Sequence, residues 1–389
     1  MKKILALALA LCMVFALAAC GQQAAPAATQ APAAEPAAPA AEPATEAATM
    51  VAMITDYGDI TDQSFNQTTY EACKAFCEAN GVDFTYFKPA SDSDEDRISM
   101  IEKAIDEGYT VIVMPGYAFA PAIAATAPEY EDVTFIALDV SEFDLTSAGL
   151  ETLPANVYSA VYQEELCGYM AGVAAVKLGY TKLGFLGGMA VPAVVRYGYG
   201  FVQGADAAAA ELGLTDVSIN YAYGNQFYGD ADITAAMDTW YADGTEVVFA
   251  CGGGIYDSAA EAAAKVGAKV IGVDVDQAAI IDGKYGEGMT VTSAMKGLAA
   301  TVNTELAAVL DGSFEGGKVE NLGLIGTDPE LNYVQLAGST QFADGFTAED
   351  YAALVADMYN GVITVNNDTS IAAADNATTI TVNDLGNLK

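Results

Sequence analysis

The stretch Lys182-Leu-Gly-Phe-Leu-Gly-Gly188 decides the architecture that this sequence predicts. A short apolar run that ends in glycines is typical of a buried β-strand followed by a tight turn into a helix. The stretch follows one series of such units and begins a second. Strands of the first series are predicted at 51–55, 83–87, 110–114 and 133–138. Further strands of the second are predicted at 217–221, 246–250 and 269–273.

Helical patterns separate these strands, at 64–80, 94–108, 164–177, 191–212 and 258–266. Strands that alternate with helices over this length predict parallel sheets covered by helices on both faces. The predicted strands are more than one sheet usually contains, so we expect two α/β blocks, the first ending near Asn156. Open α/β sheets bind ligands at the carboxyl ends of their strands, so two facing blocks would enclose a ligand cleft.

The N-terminal segment predicts where the protein is located. Lys2 and Lys3 precede a short apolar run that ends in Leu17-Ala-Ala-Cys20-Gly21, the pattern of a bacterial lipoprotein signal. We expect residues 1–20 to be a signal peptide and Cys20 to carry the lipid that anchors an extracytoplasmic protein to the cell membrane. Residues 21–49 are rich in Ala and Pro without apolar periodicity, which predicts a disordered tether.

Composition excludes several functions. The net charge is −37, from 15 Lys and Arg against 52 Asp and Glu, which argues against binding nucleic acid. The chain has no histidine, so Ser-His-Asp catalysis and His-ligated metal sites are excluded. Four cysteines outside the signal segment are interpreted as small buried apolar residues: Cys73, Cys77, Cys167 and Cys251.

Glycine and carboxylate side chains recur where the predicted strands end, at Asp56, Gly116-Tyr117, Asp139, Gly187-Gly188, Gly252-Gly253-Gly254 and Asp274. In the densest of these loops, Asp62 or Ser64 can cap the next helix, with Phe65 in its first turn. The glycines at 252–254 lack the Lys-Ser/Thr of a nucleotide P-loop. Thr292-Ser-Ala-Met-Lys296 is predicted to begin a helix, which places Lys296 at a strand–helix junction.

Five motifs follow one another along the chain: Asp56-x-Gly58-x-Ile60-x-Asp62-x-Ser64-Phe65-Asn66, Gly184-Phe-Leu-Gly-Gly-Met189, Gly198-Tyr-Gly-Phe-Val-Gln-Gly204, Gly272-Val-Asp-Val-Asp-Gln277 and Ser293-x-x-Lys296. Together they resemble the basic membrane protein family, the lipoprotein substrate-binding proteins of ABC importers that include purine nucleoside receptors. The similarity is collinear from about 51 to 361.

The resemblance implies a two-lobed type I periplasmic-binding-protein fold, in which each lobe is a mostly parallel sheet flanked by helices and the ligand lies in the interlobe cleft. It suggests a first lobe of 50–157 plus 292–318 and a second of 158–291 plus 319–345. Residues 346–389 would form a C-terminal helix at 348–360 and a tail that is loosely held after Asn366.

The resemblance also implies a binding site. Phe65 would stack on a nucleobase and Asp56 would contact it, while Asp274 and Lys296 would hold the ribose. The second stacking residue would be Phe227, with Tyr228 as the alternative, and Arg196 could face the cleft and suit an acidic or carbonyl-rich ligand. The remaining candidate ligand-binding residues are Tyr57, Asn66, Gly116, Tyr117 and Gly253.

The leading hypothesis is therefore a lipid-anchored receptor that captures a nucleoside, with a purine favoured, for an ABC permease and its ATPase. We expect a monomer without a cofactor, a metal or catalytic residues. The alternatives are a binding protein for a sugar or another small metabolite, and an extracellular nucleosidase in which Asp56 or Asp274 would act as the base.

Overall fold

The structure, a computed structural model, describes residues 48–56 and 58–389. The predicted signal peptide, Cys20, most of the predicted tether and Tyr57 lie outside the described residues. Two sheets organise the described part of the chain. The first has the order β11-β5-β4-β3-β1-β2. Its strands are β1 Met50–Ile54, β2 Asp83–Phe87, β3 Val111–Pro115, β4 Thr134–Leu138, β5 Val157–Tyr162 and β11 Lys318–Leu322.

The second sheet has the order β12-β10-β9-β8-β6-β7-β13. Its strands are β6 Lys182–Gly187, β7 Ser218–Tyr223, β8 Val247–Cys251, β9 Lys269–Asp274, β10 Thr290–Lys296, β12 Val334–Leu336 and β13 Thr381–Asn387. Neighbouring strands in both sheets are parallel, except that β12 runs antiparallel to β10. The predicted α/β class with two mostly parallel sheets is confirmed.

Helices cover both sheets, as the alternating pattern predicts. They are α1 Phe65–Asn80, α2 Asp94–Asp106, α3 Ala120–Thr126, α4 Glu142–Ser147, α5 Glu164–Lys177, α6 Pro192–Leu212, α7 Ala231–Ala242, α8 Tyr256–Val266, α9 Ala278–Tyr285, α10 Leu298–Asp311 and α11 Ala348–Tyr359. Among the residues that the structure describes, no helix has both the length and the apolar character needed to cross a membrane.

The sheets define two lobes, which we call the first and second lobe after their sheets. The chain leaves the first sheet after β5, returns after β10 to form α10 and β11, and leaves again after β11. Each predicted lobe boundary, 157/158, 291/292 and 318/319, falls inside one of these strands and is therefore wrong by a few residues. A chain can change sheets only where its ladder of hydrogen bonds ends, and the sequence does not mark those ends.

The structure tests three further expectations. The four cysteines are buried and free, as predicted. The predicted helix start at 292–296 is wrong, because these β-branched and small residues form the end of strand β10. The expectation of a loosely held tail is also wrong, because β13 pairs in parallel with β7 and becomes an edge strand of the second sheet.

Helices α5 and α6 approach each other unusually closely at the base of the second lobe. A Cβ at Gly168 or Gly172 of α5 would lie 2.2 Å from a backbone oxygen of α6, and one at Gly204 of α6 would lie 2.0 Å from the Tyr169 oxygen. Only glycine permits such backbone contact. The consequence is that the N-terminal halves of α5 and α6 lie side by side, which brings Glu164 and Arg196 together.

Candidate functional site

A cavity of about 710 Å³ lies between the lobes, where the carboxyl ends of strands from both sheets meet. Loops that follow β1, β2, β3 and β4 form the side of the first lobe. Loops that follow β6, β7 and β8 form the side of the second, together with the ends of β9 and β10. This is where the strand-end rule predicts a ligand site.

Most of the predicted site residues meet in this cavity. Lining it are Asp56, Phe65, Asn66, Gly116, Tyr117, Phe227, Gly253, Asp274 and Lys296, together with Tyr228, the alternative stacking residue. Arg196 is not among the lining residues. Phe65 and Phe227 come from different lobes, so the cavity has an aromatic side chain on each side.

Asp62 sets the conformation of the loop before α1. Its carboxylate accepts hydrogen bonds from the backbone N–H groups of Ser64, Asn66 and Gln67 at 2.9 to 3.0 Å. Backbone N–H groups at a helix N-terminus have no acceptor within the helix, and the Asp62 side chain supplies one. Asp62 rather than Ser64 therefore caps the helix. The cap holds Phe65 and Asn66 at the cavity wall and leaves the Ser64 hydroxyl for another partner.

Asp56 lies at the bottom of the first-lobe side. Its Oδ1 accepts from the Gly58 N–H and from the Asn66 amide, both at 2.9 Å. Gly116 closes over it with φ +128°, and a Cβ there would lie 2.5 Å from Asp56 Oδ2. Burial raises the pKa of Asp56 to about 6, although the hydrogen bonds from Gly58 and Asn66 oppose the shift. Asp56 therefore offers a half-buried carboxyl whose pKa is well above that of an ordinary aspartate.

Lys296 is the centre of a buried charge cluster. Its side chain is 3% exposed, and Nζ donates to Asp139 Oδ2 at 2.5 Å and to Glu164 Oε1 at 3.2 Å. Asp274 Oδ1 lies 3.9 Å away, and the centroid of the Phe65 ring 4.7 Å away. Burial alone would lower the pKa of Lys296, but the three carboxylates outweigh burial and raise it above its ordinary value.

Arg196 lies in the second turn of α6 and belongs to the same cluster. Its Nε donates to Glu164 Oε2 at 2.7 Å, and Glu164 is fully buried at the first turn of α5. Burial would raise the pKa of Glu164, but Arg196 and Lys296 lower it below its ordinary value. The expectation that Arg196 faces the cleft is not met, because an ionised buried carboxylate holds the guanidinium.

Asp139 is a cavity residue that the candidate set omits. It follows β4 with φ +62° and accepts from Lys296 through Oδ2. Its Oδ1 is buried, and no donor among the described residues reaches it. Burial raises the pKa of Asp139 to about 6, and Glu164 adds to the shift while Lys296 opposes it. The signal that could have found it is its place at a strand end, which it shares with Asp56 and Asp274.

Phe227 sits in a glycine-lined recess of the second lobe. A Cβ at Gly188 would lie 2.5 Å from its ring, and one at Gly252 would lie 3.0 Å from it. The Phe227 carbonyl accepts from the Gly254 N–H at 2.8 Å. The neighbouring Tyr228 is 62% exposed, whereas Phe227 packs against the apolar core. The glycines after β6 and β8 therefore make room for one aromatic ring at the cavity wall.

Asp274 and Gln277 connect the two lobes. Asp274 Oδ2 accepts from the Ser64 hydroxyl at 2.5 Å, and its Oδ1 accepts from the Tyr197 hydroxyl at 3.2 Å. Gln277 Nε2 donates to the Gln63 carbonyl at 3.0 Å. Gln63 and Asp274 both have positive φ, a conformation that the surrounding contacts must support. Gln277 is a second residue that the candidate set omits, although the family motif contains it.

The cavity is acidic. Six aspartates line it against two lysines, Lys88 and Lys296. Lys88 Nζ donates to Asp59 Oδ2 at 2.6 Å, so both ammonium groups already have carboxylate partners. An anionic ligand would therefore meet a repulsive field.

Comparison with solved structures defines the fold. An ABC transporter solute-binding protein from Aeropyrum pernix superposes with a TM-score of 0.64 at 22% identity, over 82% of this chain and 88% of that one. A solute-binding protein from Conexibacter woesei has a TM-score of 0.62 at 23% identity, over 82% and 99%. The two-lobed fold is that of type I periplasmic solute-binding proteins.

The sequence comparisons identify the family. The model of the Bmp family, described as ABC transporter substrate-binding protein PnrA-like, matches residues 49–328, and the chain belongs to this family. The ABC transporter nucleoside-binding protein BmpA of Lactococcus lactis is 28% identical over 322 residues, 76% of this chain and 87% of the relative. Basic membrane protein A of Borreliella burgdorferi is 27% identical over 281 residues, 70% and 76%.

This membership confirms the expected class, a substrate-binding protein of an ABC transporter. The role implies a small-molecule ligand, a permease and an ATPase as partners, and an extracytoplasmic location. The family model and the relative from Lactococcus lactis are both described as binding proteins of ABC transporters.

Proposed function

We propose that this protein is a lipid-anchored receptor that captures a nucleoside, with a purine favoured, and presents it to an ABC importer. The observation that carries the proposal is the pair Phe65 and Phe227, which line one cavity from opposite lobes. A flat aromatic base between two rings is a favourable arrangement, because offset stacking adds to the burial of apolar surface. The relative from Lactococcus lactis, described as nucleoside-binding, supports the same ligand class.

Polar groups around the two rings suit the rest of a nucleoside. Asp56 would contact the base, because its half-buried carboxyl can accept from a ring N–H or an exocyclic amine. Lys296 uses two of its three N–H donors on Asp139 and Glu164, which leaves one for a ribose hydroxyl. Asp274 accepts one hydrogen bond on each oxygen, so it retains lone pairs for a further hydroxyl.

The charge of the cavity favours nucleosides over nucleotides. A phosphate group would add negative charge beside six aspartates, and both lining lysines already have carboxylate partners. Removing Lys296 from its partners to bind a phosphate would leave buried carboxylates uncompensated, at a large cost in free energy.

The direct test is calorimetry on the chain without its first 20 residues. We expect binding of inosine, guanosine or adenosine, and no detectable binding of the matching 5′-monophosphates. Phe227→Ala should weaken binding strongly and Tyr228→Ala should have a smaller effect, which decides between the two stacking candidates. Absence of binding to every nucleoside would refute the ligand class, and binding of a free sugar instead would favour the alternative small-metabolite receptor.

The lipid anchor is tested separately. Cys20 lies outside the described residues, and its acylation is proposed from the Leu17-Ala-Ala-Cys20 pattern alone. We expect Cys20→Ala to leave ligand binding by the purified protein unchanged and to reduce uptake by cells, because the receptor would no longer be concentrated beside its permease. Membrane fractionation would detect the anchor, and an unchanged membrane-bound fraction in the variant would contradict it.

A further inference from the structure

The C-terminal residues 378–389, which we call the strap, lie beyond the family match at 49–328. Most of the strap forms β13, which pairs in parallel with β7 at the edge of the second sheet. β7 leads directly into residues 224–230, the loop that carries Phe227 and contributes to the cavity. The strap therefore lies against the strand that supports one wall of the cleft.

Asp206 fixes the start of the strap. Its Oδ1 accepts hydrogen bonds from the backbone N–H groups of Thr378, Thr379 and Ile380 at 2.9, 2.6 and 3.0 Å. Three donors on one oxygen of an anionic acceptor are an unusually strong tether for a chain segment, since hydrogen bonds to charged groups are stronger than neutral ones. Asp206 belongs to α6, so the strap is attached to the body of the second lobe.

The other end of the strap contacts the cleft loop. The Leu388 N–H donates to the Tyr223 carbonyl at 2.8 Å, where β7 ends. Lys389 Nζ forms an ion pair with Asp230 Oδ2 at the far end of the same loop. Asp230 Oδ2 also accepts from Gln226 Nε2 at 3.0 Å, and Gln226 is a cavity residue next to Phe227. A continuous set of hydrogen bonds thus connects the strap to the residue beside the proposed stacking ring.

We propose that the strap is a positioning element, in which Lys389 holds Asp230 and Gln226 so that Phe227 keeps its orientation at the cleft. This inference rests on the proposed function for its effect on nucleoside affinity, and its effect on the loop conformation does not depend on any ligand. Hydrogen exchange of the loop backbone can be measured without any ligand. It reports on the loop because the Gly224 and Asn225 N–H groups donate to the carbonyls of Gly187 and Gly188 at 2.8 and 3.0 Å.

The expected loss of nucleoside affinity depends on how exposed the Lys389–Asp230 pair is to solvent. Lys389 and Asp230 are 30% and 29% exposed, so their ion pair is partly screened by solvent. We expect Lys389→Met to weaken nucleoside binding about twofold to fivefold, the range of such pairs. Asp206→Ala releases the whole strap and should weaken binding more, by about tenfold or above. The reason is that the apparent affinity falls in proportion to the fraction of molecules whose loop is in the binding conformation.

The experiment compares Lys389→Met, Asp206→Ala and the matched control Lys265→Met in the full mature chain. Lys265 pairs with Asp238 and Glu261 on the same lobe, and neither partner belongs to residues 224–230. Hydrogen exchange without ligand should accelerate at residues 224–230 in the first two variants and not in the control. Lys389→Arg should restore both exchange protection and affinity, because it restores the charge.

Each outcome is decisive. Unchanged exchange at 224–230 in Lys389→Met and Asp206→Ala would overturn the inference whether or not any nucleoside binds. Accelerated exchange in a protein that binds no nucleoside would support the strap and refute the proposed ligand. If Asp206→Ala fails to fold by circular dichroism, Lys389→Met decides, because its partly exposed side chain can change without disturbing the core.

Discussion

Replacement of Lys296 by methionine removes the only cation that contacts both Asp139 and Glu164 among the described residues. The substitution keeps the length and most of the volume of the side chain, so packing against Phe65, Tyr162 and Tyr197 is largely preserved. The change therefore isolates the electrostatic contribution of Lys296 to the buried cluster.

The magnitude follows from burial. Lys296 is 3% exposed, Asp139 is 11% exposed and Glu164 is fully buried. Removal of one partner from a buried ion pair costs about 3 to 5 kcal/mol, because the remaining charge is left without compensation. Arg196 still neutralises Glu164, so most of the cost falls on Asp139. A loss of this size is a large part of the 5 to 15 kcal/mol that is typical of folded proteins.

The loss should depend on pH. Lys296 has a raised pKa in the folded protein, so its contribution to the free energy of unfolding is complete at any pH below its unfolded pKa. That contribution is lost only when the pH rises through the folded-state pKa. Between pH 5 and 8 Lys296 itself stays protonated, so any pH dependence in this range comes from its carboxylate partners. At pH 5 the Asp139 carboxyl, with a pKa of about 6, is largely neutral with or without Lys296, whereas at pH 8 it is ionised in the native protein and has lost its cation in the variant. We therefore expect the deficit at pH 8 to exceed that at pH 5.

Urea unfolding followed by circular dichroism measures this free energy directly. Lys265→Met provides the control, because its pair with Asp238 is exposed to solvent and should contribute little to stability. A deficit below about 1 kcal/mol for Lys296→Met, or one equal at pH 5 and pH 8, would refute the view that Lys296 acts by neutralising buried carboxylates.

Three other substitutions test the site. Phe65→Ala should cost about 1 to 3 kcal/mol of nucleoside binding in calorimetry, the range of base–aromatic stacking, and an unchanged affinity would contradict its role. Asp56→Asn should stabilise the ligand-free protein at pH 8 by up to about 3 kcal/mol, since the folded pKa of about 6 exceeds the unfolded one and the ionised form is penalised above it. That gain should vanish near pH 4 in urea titrations, and a gain independent of pH would exclude this cause. Gly116→Ala should lower the unfolding free energy by about 1 to 3 kcal/mol through its positive φ and the contact with Asp56; equal stability would show that the loop relaxes freely.

The fold was predictable because its signals are local. Continuous β-branched runs mark strands buried on both faces, and their alternation with helices implies parallel sheets. The residues of the first-lobe loop were predictable for a similar reason, since Asp56, Asp62 and Phe65 lie within ten positions of one another and share one strand–helix turn.

The charge cluster was not predictable in this way. Lys296, Asp139 and Glu164 are far apart in the chain and meet only because strands from two sheets end at one place. Sequence reasoning assigned Arg196 to the ligand and left Asp139 out, because the partner of a charged side chain depends on which elements cross near it. The β13 strand was missed because an edge strand has little apolar periodicity of its own.

The sequence by itself determined the class of fold, the family and the edge of each sheet at which a ligand would lie. These properties depend on periodicity and on short motifs, which are contained in neighbouring residues. Only the tertiary structure decided that Lys296 and Arg196 neutralise buried carboxylates, that Phe227 occupies a glycine-lined recess and that the tail pairs with β7 as an edge strand. Electrostatic pairing and close packing act through space, so they exist only once distant segments have been brought together.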